Sequence, residues 1–150
     1  NGTCYNLTLV DKVKDVSGKV ILDNKAKVRN KVKIHSSTWN AIHHGMYLVA
    51  NGPNSSIKSM FTNLKQTVAG KTGTAQQVQT RPNHALFVGY APYADPEVSI
   101  ATRIAYGYTS HNAADVSAQI LKYYFKLASE EELLDGTAED VGNSANAVTD

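Results

Sequence analysis

Val68-Ala-Gly-Lys-Thr-Gly-Thr-Ala-Gln76 packs two glycines, a lysine and two threonines into the positions from Gly70 to Ala75. Small residues there would let a ligand come close to the backbone. Gly70-Lys-Thr72 invites comparison with a phosphate-binding loop. That motif requires a glycine five residues ahead of the Gly-Lys pair, where this chain has Lys65, and a helix directly after the threonine. Gly73 breaks any such helix, and Thr74-Ala-Gln-Gln-Val78 reads on as a strand. Two further strand-like runs follow. His84 to Ala91 is almost wholly apolar, the pattern of a strand buried on both faces, and Val98 to Tyr106 is β-branched at Val98, Ile100, Thr102 and Ile104. The links, residues 79–83 and 92–97, are short and contain proline. Parallel strands need a long crossover, so these neighbours are expected to be antiparallel.

Working outward, a helix precedes the three strands and another follows. Ser36 or Ser37 can cap the first. Trp39, Ile42, Met46, Val49 and Ala50 recur at helical spacing, and Gly52-Pro53 ends it. Gly45 inside this helix marks close packing against a neighbour. Residues 57–64 read as a shorter, weaker helical segment. The last helix is expected to start at a capping Asn112, with Asp115 favouring the positive end of its dipole, and to bury Val116, Ile120, Tyr123 or Tyr124, and Leu127. Near the N-terminus, strands at residues 5–14 and 19–23 flank the turn Asp15-Val-Ser-Gly-Lys19, and Val28, Val32 and Ile34 continue in a looser extended segment. The order is hairpin, helix, three antiparallel strands, helix and tail, an α+β arrangement with an antiparallel sheet flanked by helices.

The 150 residues, 42% hydrophobic, fit one domain with a real core. No run approaches the ~20 apolar residues of a membrane span, and the N-terminus has no signal pattern. The single cysteine, Cys4, excludes an internal disulfide and a Cys-based zinc cluster. The formal charge of +2 hides an asymmetry: seven acids and no base lie from Glu130 onward, leaving fifteen bases and six acids, or +9, in residues 1–129. A basic body can attract nucleic acid. Eight of the bases are spaced from Lys12 to Lys33 with no aromatic between them to stack on a base, so a solvated basic face is the better reading and no nucleic-acid partner is expected. Residues 129–150 lack periodicity and read as an acidic, disordered tail.

Lys71-Thr-Gly-Thr-Ala-Gln76 followed by His84-Ala-Leu-Phe-Val-Gly-Tyr-Ala-Pro92 resembles the class B penicillin-binding proteins, the peptidoglycan D,D-transpeptidases. The likeness extends back through Gly45-Met-Tyr-Leu-Val49 and Asn51-Gly-Pro-Asn54 and forward through the last helix, and the elongation-type branch, penicillin-binding protein 2, is nearest. The resemblance implies the transpeptidase fold shared with serine β-lactamases, with residues 1–128 as the C-terminal portion of that domain. It implies a site of three motifs, Ser-x-x-Lys, Ser-x-Asn and Lys-Thr-Gly. A serine attacks the D-Ala-D-Ala carbonyl of a stem peptide, and β-lactams acylate the same serine. By this match Lys71 supplies positive charge, the Thr72 and Thr74 hydroxyls bind the substrate carboxylate, Gly73 leaves room for it, and the Thr74 backbone N–H is an oxyanion donor. The implied partners are stem peptide or lipid-linked precursor, β-lactams and the elongation machinery. The implied parent is membrane-anchored, with this domain on the outer face. No cofactor or metal is implied.

Family order puts Ser-x-x-Lys first and Lys-Thr-Gly last. The literal Ser55-Ser-Ile-Lys58 lies only sixteen residues before Lys71, too close to fit a lobe and a second motif between them. Ser110-His-Asn112 falls after the third motif and suits a helix cap, and Ser144-Ala-Asn146 lies in the tail. The expectation is therefore a chain that begins after the first two motifs, lacks the nucleophile and carries an incomplete sheet. Two alternatives stay open: a penicillin-recognising sensor domain, and a degenerate non-catalytic relative. His43 and His44 are adjacent on a helix and point to different faces, unlike an i, i+4 chelating pair. His84 is expected to serve a structural hydrogen bond.

Overall fold

The computed structural model of the protein describes residues 2–134, so the expectation for the tail beyond Leu134 lies outside the described residues. The chain divides into two compact units, one ending at Ala41 and one beginning at Ile42.

The first unit is a ribbon of two antiparallel pairs. Strand β1 (Thr3–Tyr5) pairs with β4 (Val28–Lys31), and β2 (Lys12–Lys14) pairs with β3 (Val20–Asp23). Of the strand expected over residues 5–14, Lys12–Lys14 closes the hairpin and Tyr5 ends β1, while residues 6–11 between them are not strand. β1 itself lies in the N-terminal stretch that shows no strand signal, and it pairs with the segment read as merely extended. Asp15 makes the turn: its Oδ1 accepts from Ser17 Oγ at 2.6 Å, Ser17 N at 2.9 Å and Lys19 N at 3.0 Å. The Ser17 hydroxyl, and then the Lys19 N–H, hold the Asp15 carboxyl below the usual aspartate range. Gly18 takes the left-handed φ of 86° that the turn requires. No residue of this ribbon is buried, and Leu7, Leu9 and Val16 are almost wholly exposed.

Helix α1 (Ser36–Asn51) runs from one unit into the other. The cap is not Ser36 or Ser37. His35 occupies the capping position, its carbonyl accepting from Thr38 and Trp39 N–H and its Nδ1 accepting from Ser37 N at 3.3 Å. Gly52 ends the helix as expected, with its N–H on Leu48 O at 2.8 Å. A Cβ on Gly45 would meet nothing within 4 Å, so the expected close neighbour is absent among the described residues.

The second unit carries the core. Strands β5 (Ala69–Ala75), β6 (His84–Ala91) and β7 (Val98–Ile104) form one antiparallel sheet in that order, with Thr72 opposite Phe87 and Phe87 opposite Thr102. One face is closed by α2 (Lys58–Phe61), by Ile57 and Leu64 beside it, and by α3 (Ser110–Tyr124). On that face the Phe87 ring lies over two glycines. A Cβ on Gly70 would run into Phe87 Cζ, and one on Gly89 would lie 2.8 Å from Phe87 Cε1. Phe61 stacks on the ring from outside at 5.5 Å. The other face is partly open: Val88 is 49% exposed, so β6 is not buried on both faces as its composition predicts.

Within its own length helix α3 reverses the expected stripe, of which only Leu127, beyond its end, packs on the core as expected. Its buried residues are Ser110, Ala113, Ala114, Ser117, Ala118 and Leu121, while Val116, Ile120, Tyr123 and Tyr124 are exposed. Small side chains let the helix axis sit close to the sheet. Ser117 Oγ donates to Ala113 O at 2.7 Å and so accepts from Thr102 Oγ1 at 2.8 Å. The helix also starts earlier than expected. Thr109 is the cap, accepting from His111 N, and Asp115 lies beyond the first turn, where it accepts from Gln119. The segment read as a tail from residue 129 begins with one ordered turn. Ser129 and Glu132 form a reciprocal capping box that starts a single turn, α4 (Glu130–Leu133), with three glutamates at its positive end.

Gly70→Ala is expected to destabilise the protein by about 1–3 kcal/mol through overpacking against Phe87. Gly73→Ala, whose Cβ would meet only the Leu86 side chain, at 3.3 Å from Cβ and 3.6 Å from Cδ1, should cost clearly less. Urea unfolding of the two variants side by side checks the order.

Candidate active site

β5 is an edge strand, and its main-chain groups alternate between β6 and the open edge. A Cβ on Gly70 would lie 2.8 Å from Val88 O, and one on Gly89 would lie 2.9 Å from Ala69 O. These carbonyls therefore sit between the two strands, and the odd-numbered residues Ala69, Lys71, Gly73 and Ala75 make the ladder. Gly70, Thr72 and Thr74 turn their N–H and C=O groups outward. Two bonds agree with that phase: Val68 O, just before the strand, accepts from Asn51 Nδ2 at 2.8 Å, and Thr72 O accepts from Lys71 Nζ at 2.6 Å.

Side chains alternate as well. Thr72 and Thr74 share the α3 face with their cross-strand partners Phe87 and Ala85, whereas Lys71 and Gly73 share the open face with Val88 and Leu86. Thr74 Oγ1 accepts from Ser110 N–H, in the first turn of α3, at 3.3 Å. Lys71 is exposed, and its ammonium curls to the edge. Lysine, threonine hydroxyls and the outward N–H groups of Gly70, Thr72 and Thr74 thus lie along one edge. The arrangement can hold an anion. Gly70 has a different job from the one its sequence context predicts, because its bare face is filled by Phe87 rather than left for a ligand.

The other sequence candidates are spent on structure. Ser55 Oγ donates to Val49 O near the end of α1 and accepts from Ile57 N at 3.3 Å. Ser110 is buried at the start of α3, and Asn112 Nδ2 donates to Gly107 O at 2.8 Å instead of capping the helix. His43 packs edge-on to Tyr90 with centroids 6.2 Å apart, and His44 lies parallel to Tyr47 at 6.0 Å. The Tyr90 phenol is raised above the usual tyrosine range, first by burial and then by Tyr93.

The sequence profile of the penicillin-binding protein transpeptidase domain matches residues 1–126. The chain belongs to that family. Peptidoglycan D,D-transpeptidase MrdA of Haemophilus influenzae is 32% identical over 103 residues, covering 59% of this chain and 16% of that protein. Among solved structures, the D,D-transpeptidase domain of a peptidoglycan glycosyltransferase from Eggerthella lenta superposes with a TM-score of 0.66 at 25% identity, over 84% of this chain and 28% of the other. Penicillin-binding protein 2B of Streptococcus pneumoniae gives 0.69 at 24% identity, over 85% and 22%. The chain is therefore a penicillin-binding protein 2-like transpeptidase sequence that spans a small part of its relatives, and its sheet and helices are a partial version of their fold. No helix among the described residues is long and apolar enough to cross a membrane.

What sequence reading missed is the contact between β5 and α3. The run Tyr106-Gly-Tyr-Thr-Ser110 holds the signal, a turn followed by a capping threonine. Thr74→Val, which removes the acceptor for Ser110 N–H, is expected to loosen the start of α3 by about 1 kcal/mol. Thr74→Ser should not. Amide hydrogen exchange at Ser110 separates the two.

Proposed function

We propose that the chain forms one wall of the acyl-transfer site of a peptidoglycan D,D-transpeptidase of the elongation type. The observation that carries this reading is the outward edge of β5, where the Thr74 N–H faces outward and its hydroxyl accepts from Ser110 N–H in the first turn of α3. A stem peptide laid along that edge would gain main-chain hydrogen bonds as an added strand does. Thr72 and Thr74 hydroxyls would take its terminal carboxylate, with Lys71 supplying the compensating charge, and Gly73 would keep the edge clear. A serine Oγ attacks the carbonyl between the two D-alanines, and the Thr74 N–H receives the oxyanion. Such a donor contributes about 10²–10³ in rate because it is fixed before charge develops. The terminal D-alanine leaves, and the acyl group passes to the amine of a second stem peptide. With a β-lactam the ring C–N bond opens and the acyl group remains on the serine.

The nucleophile in this reading is not among these 150 residues. Ser55 is the literal candidate, and its hydroxyl is committed at both ends to the turn after α1. The relatives named as D,D-transpeptidases support the enzyme reading over the sensor alternative. The proposal includes a membrane-anchored protein, with this domain on the outer face, that meets lipid-linked precursor and elongation machinery there.

This chain alone is expected to form no covalent penicillin adduct, and stoichiometric labelling in an intact mass spectrum would overturn that. In the full-length natural protein, Lys71→Ala should slow acylation about tenfold or more, the loss of one charge-assisted contact. Ser55→Ala should stay within about twofold of wild type on the same kinetic scale. Abolition of labelling by Ser55→Ala would move the site.

A further inference from the structure

The turn that brings α3 to β5 adopts an unfavourable backbone, and one buried side chain grips it. Tyr106 and Tyr108 have φ of 56° and 65°, left-handed values that residues with a Cβ avoid. Such conformations persist only where the surroundings over-determine them. Gly107 between them lies directly on the sheet: a Cβ there would sit 2.8 Å from Ile104 Cβ and 2.9 Å from Ala85 Cβ. Tyr108 N–H donates to Asn83 O at 3.0 Å. Tyr106 N–H donates to Nδ1 of His84 at 3.1 Å, and the two rings pack with centroids 4.8 Å apart.

His84 is 6% exposed and stands opposite Ala75, at the end of the Lys-Thr-Gly strand. Because Nδ1 accepts a backbone N–H, its lone pair must lie in the ring plane there. The neutral ring then carries its proton on Nε2, which donates to Gln77 Oε1 at 2.7 Å. One imidazole therefore ties the exit of β5 to the turn before α3. Arg81 closes the outer side, its guanidinium 5.1 Å from the Tyr106 ring centroid and Nη1 donating to Tyr106 Oη at 3.1 Å. Arg103 Nη2 stands 3.4 Å from Nε2. From this turn the chain passes through the capping Thr109 to Ser110, whose N–H reaches Thr74 Oγ1.

We infer that His84 is a positioning residue of the acyl-transfer site: its Nδ1 fixes the Tyr106–Tyr108 turn, the turn fixes Ser110 N–H on Thr74, and Thr74 is thereby aimed at substrate. The inference rests on the proposed function of β5 and adds a residue that touches no substrate. It predicts that the acceptor at Nδ1 matters, not the imidazole as a filler of space.

The test uses the full-length natural protein with fluorescent penicillin in stopped flow, separating initial binding from the acylation rate. Hydrogen exchange of residues 105–112 is followed in parallel. His84→Asn keeps an oxygen at the place of Nδ1, whereas His84→Gln reaches toward Nε2 and leaves Tyr106 N–H without its acceptor. His84→Gln should slow acylation about tenfold, with initial binding unchanged, and speed exchange across the turn. His84→Asn should remain within about threefold of wild type in both. Equal impairment of the two variants, or none in either, overturns the inference. If neither folds, Arg81→Met at the exposed end of the clamp decides: faster exchange and slower acylation support it, and no change in either refutes it. A wild-type protein that takes no label overturns the functional reading instead, and the exchange rates then decide the clamp alone.

Discussion

Everything in the second unit depends on one aromatic ring lying where two side chains are missing. Phe87 covers Gly70 and Gly89, with Phe61 stacked on it, and this fills the α-helical face of the sheet at its centre. The residues of β5 on that face are then limited to glycine and threonines, small enough to fit under α2 and α3. A buried ring of this size contributes most of its stabilisation by removing apolar area from water, about 25 cal/mol per Å². It also leaves a ligand no room to approach β5 from the helical face beside Gly70. What remains is the free edge, where the polar groups of Gly70, Thr72 and Thr74 emerge.

The same economy of volume shapes α3. Ala113, Ala114, Ala118 and Ser117 bring the helix close enough for a serine–threonine hydrogen bond to form across the interface. Among the described residues no buried side-chain nitrogen or oxygen lacks a partner. That matters because an unsatisfied buried group costs more than a satisfied one contributes. The polar atoms near β5 are thus held by directional bonds rather than by packing alone, and the direction of Thr74 is inherited from the helix that Thr109 caps.

The sheet was legible from sequence because its signals are local and redundant. β-branched residues alternate along β7, short proline-containing links rule out crossovers, and glycines punctuate β5. The family resemblance came from the same stretch. The errors fall where large apolar residues mislead. Val116, Ile120 and Tyr123 outweigh alanines on any hydrophobicity scale, yet the interface selects for size, and Ala113-Ala114, Ser117-Ala118 and Leu121 repeat at helical spacing just as well. Cap identities failed at both long helices for a related reason. His35 and Thr109 hold the capping positions because of where the preceding chain arrives, which propensity does not encode. The ribbon of the first unit was half legible: a turn residue such as Asp15 announces a hairpin, but nothing local announces that residues 3–5 pair with residues 28–31.

An edge strand is an unusual place for precise chemistry, since its outward groups are the ones a fold normally hides. On the proposed reading the exposure is the function, and Lys71 manages it. Its ammonium lies on Thr72 O, so the edge carbonyl that an incoming peptide would pair with already has a charged donor. A neutral peptide N–H would be a poor exchange for a charge-assisted bond. A ligand that also brings a carboxylate changes the balance, because the ammonium can transfer to the new anion while the peptide takes the carbonyl. On that reading, selectivity for acyl donors with a free carboxylate follows from competition at one oxygen atom, and the Thr74 N–H, which faces the same edge from a rigid ladder, would need no rearrangement to receive an oxyanion.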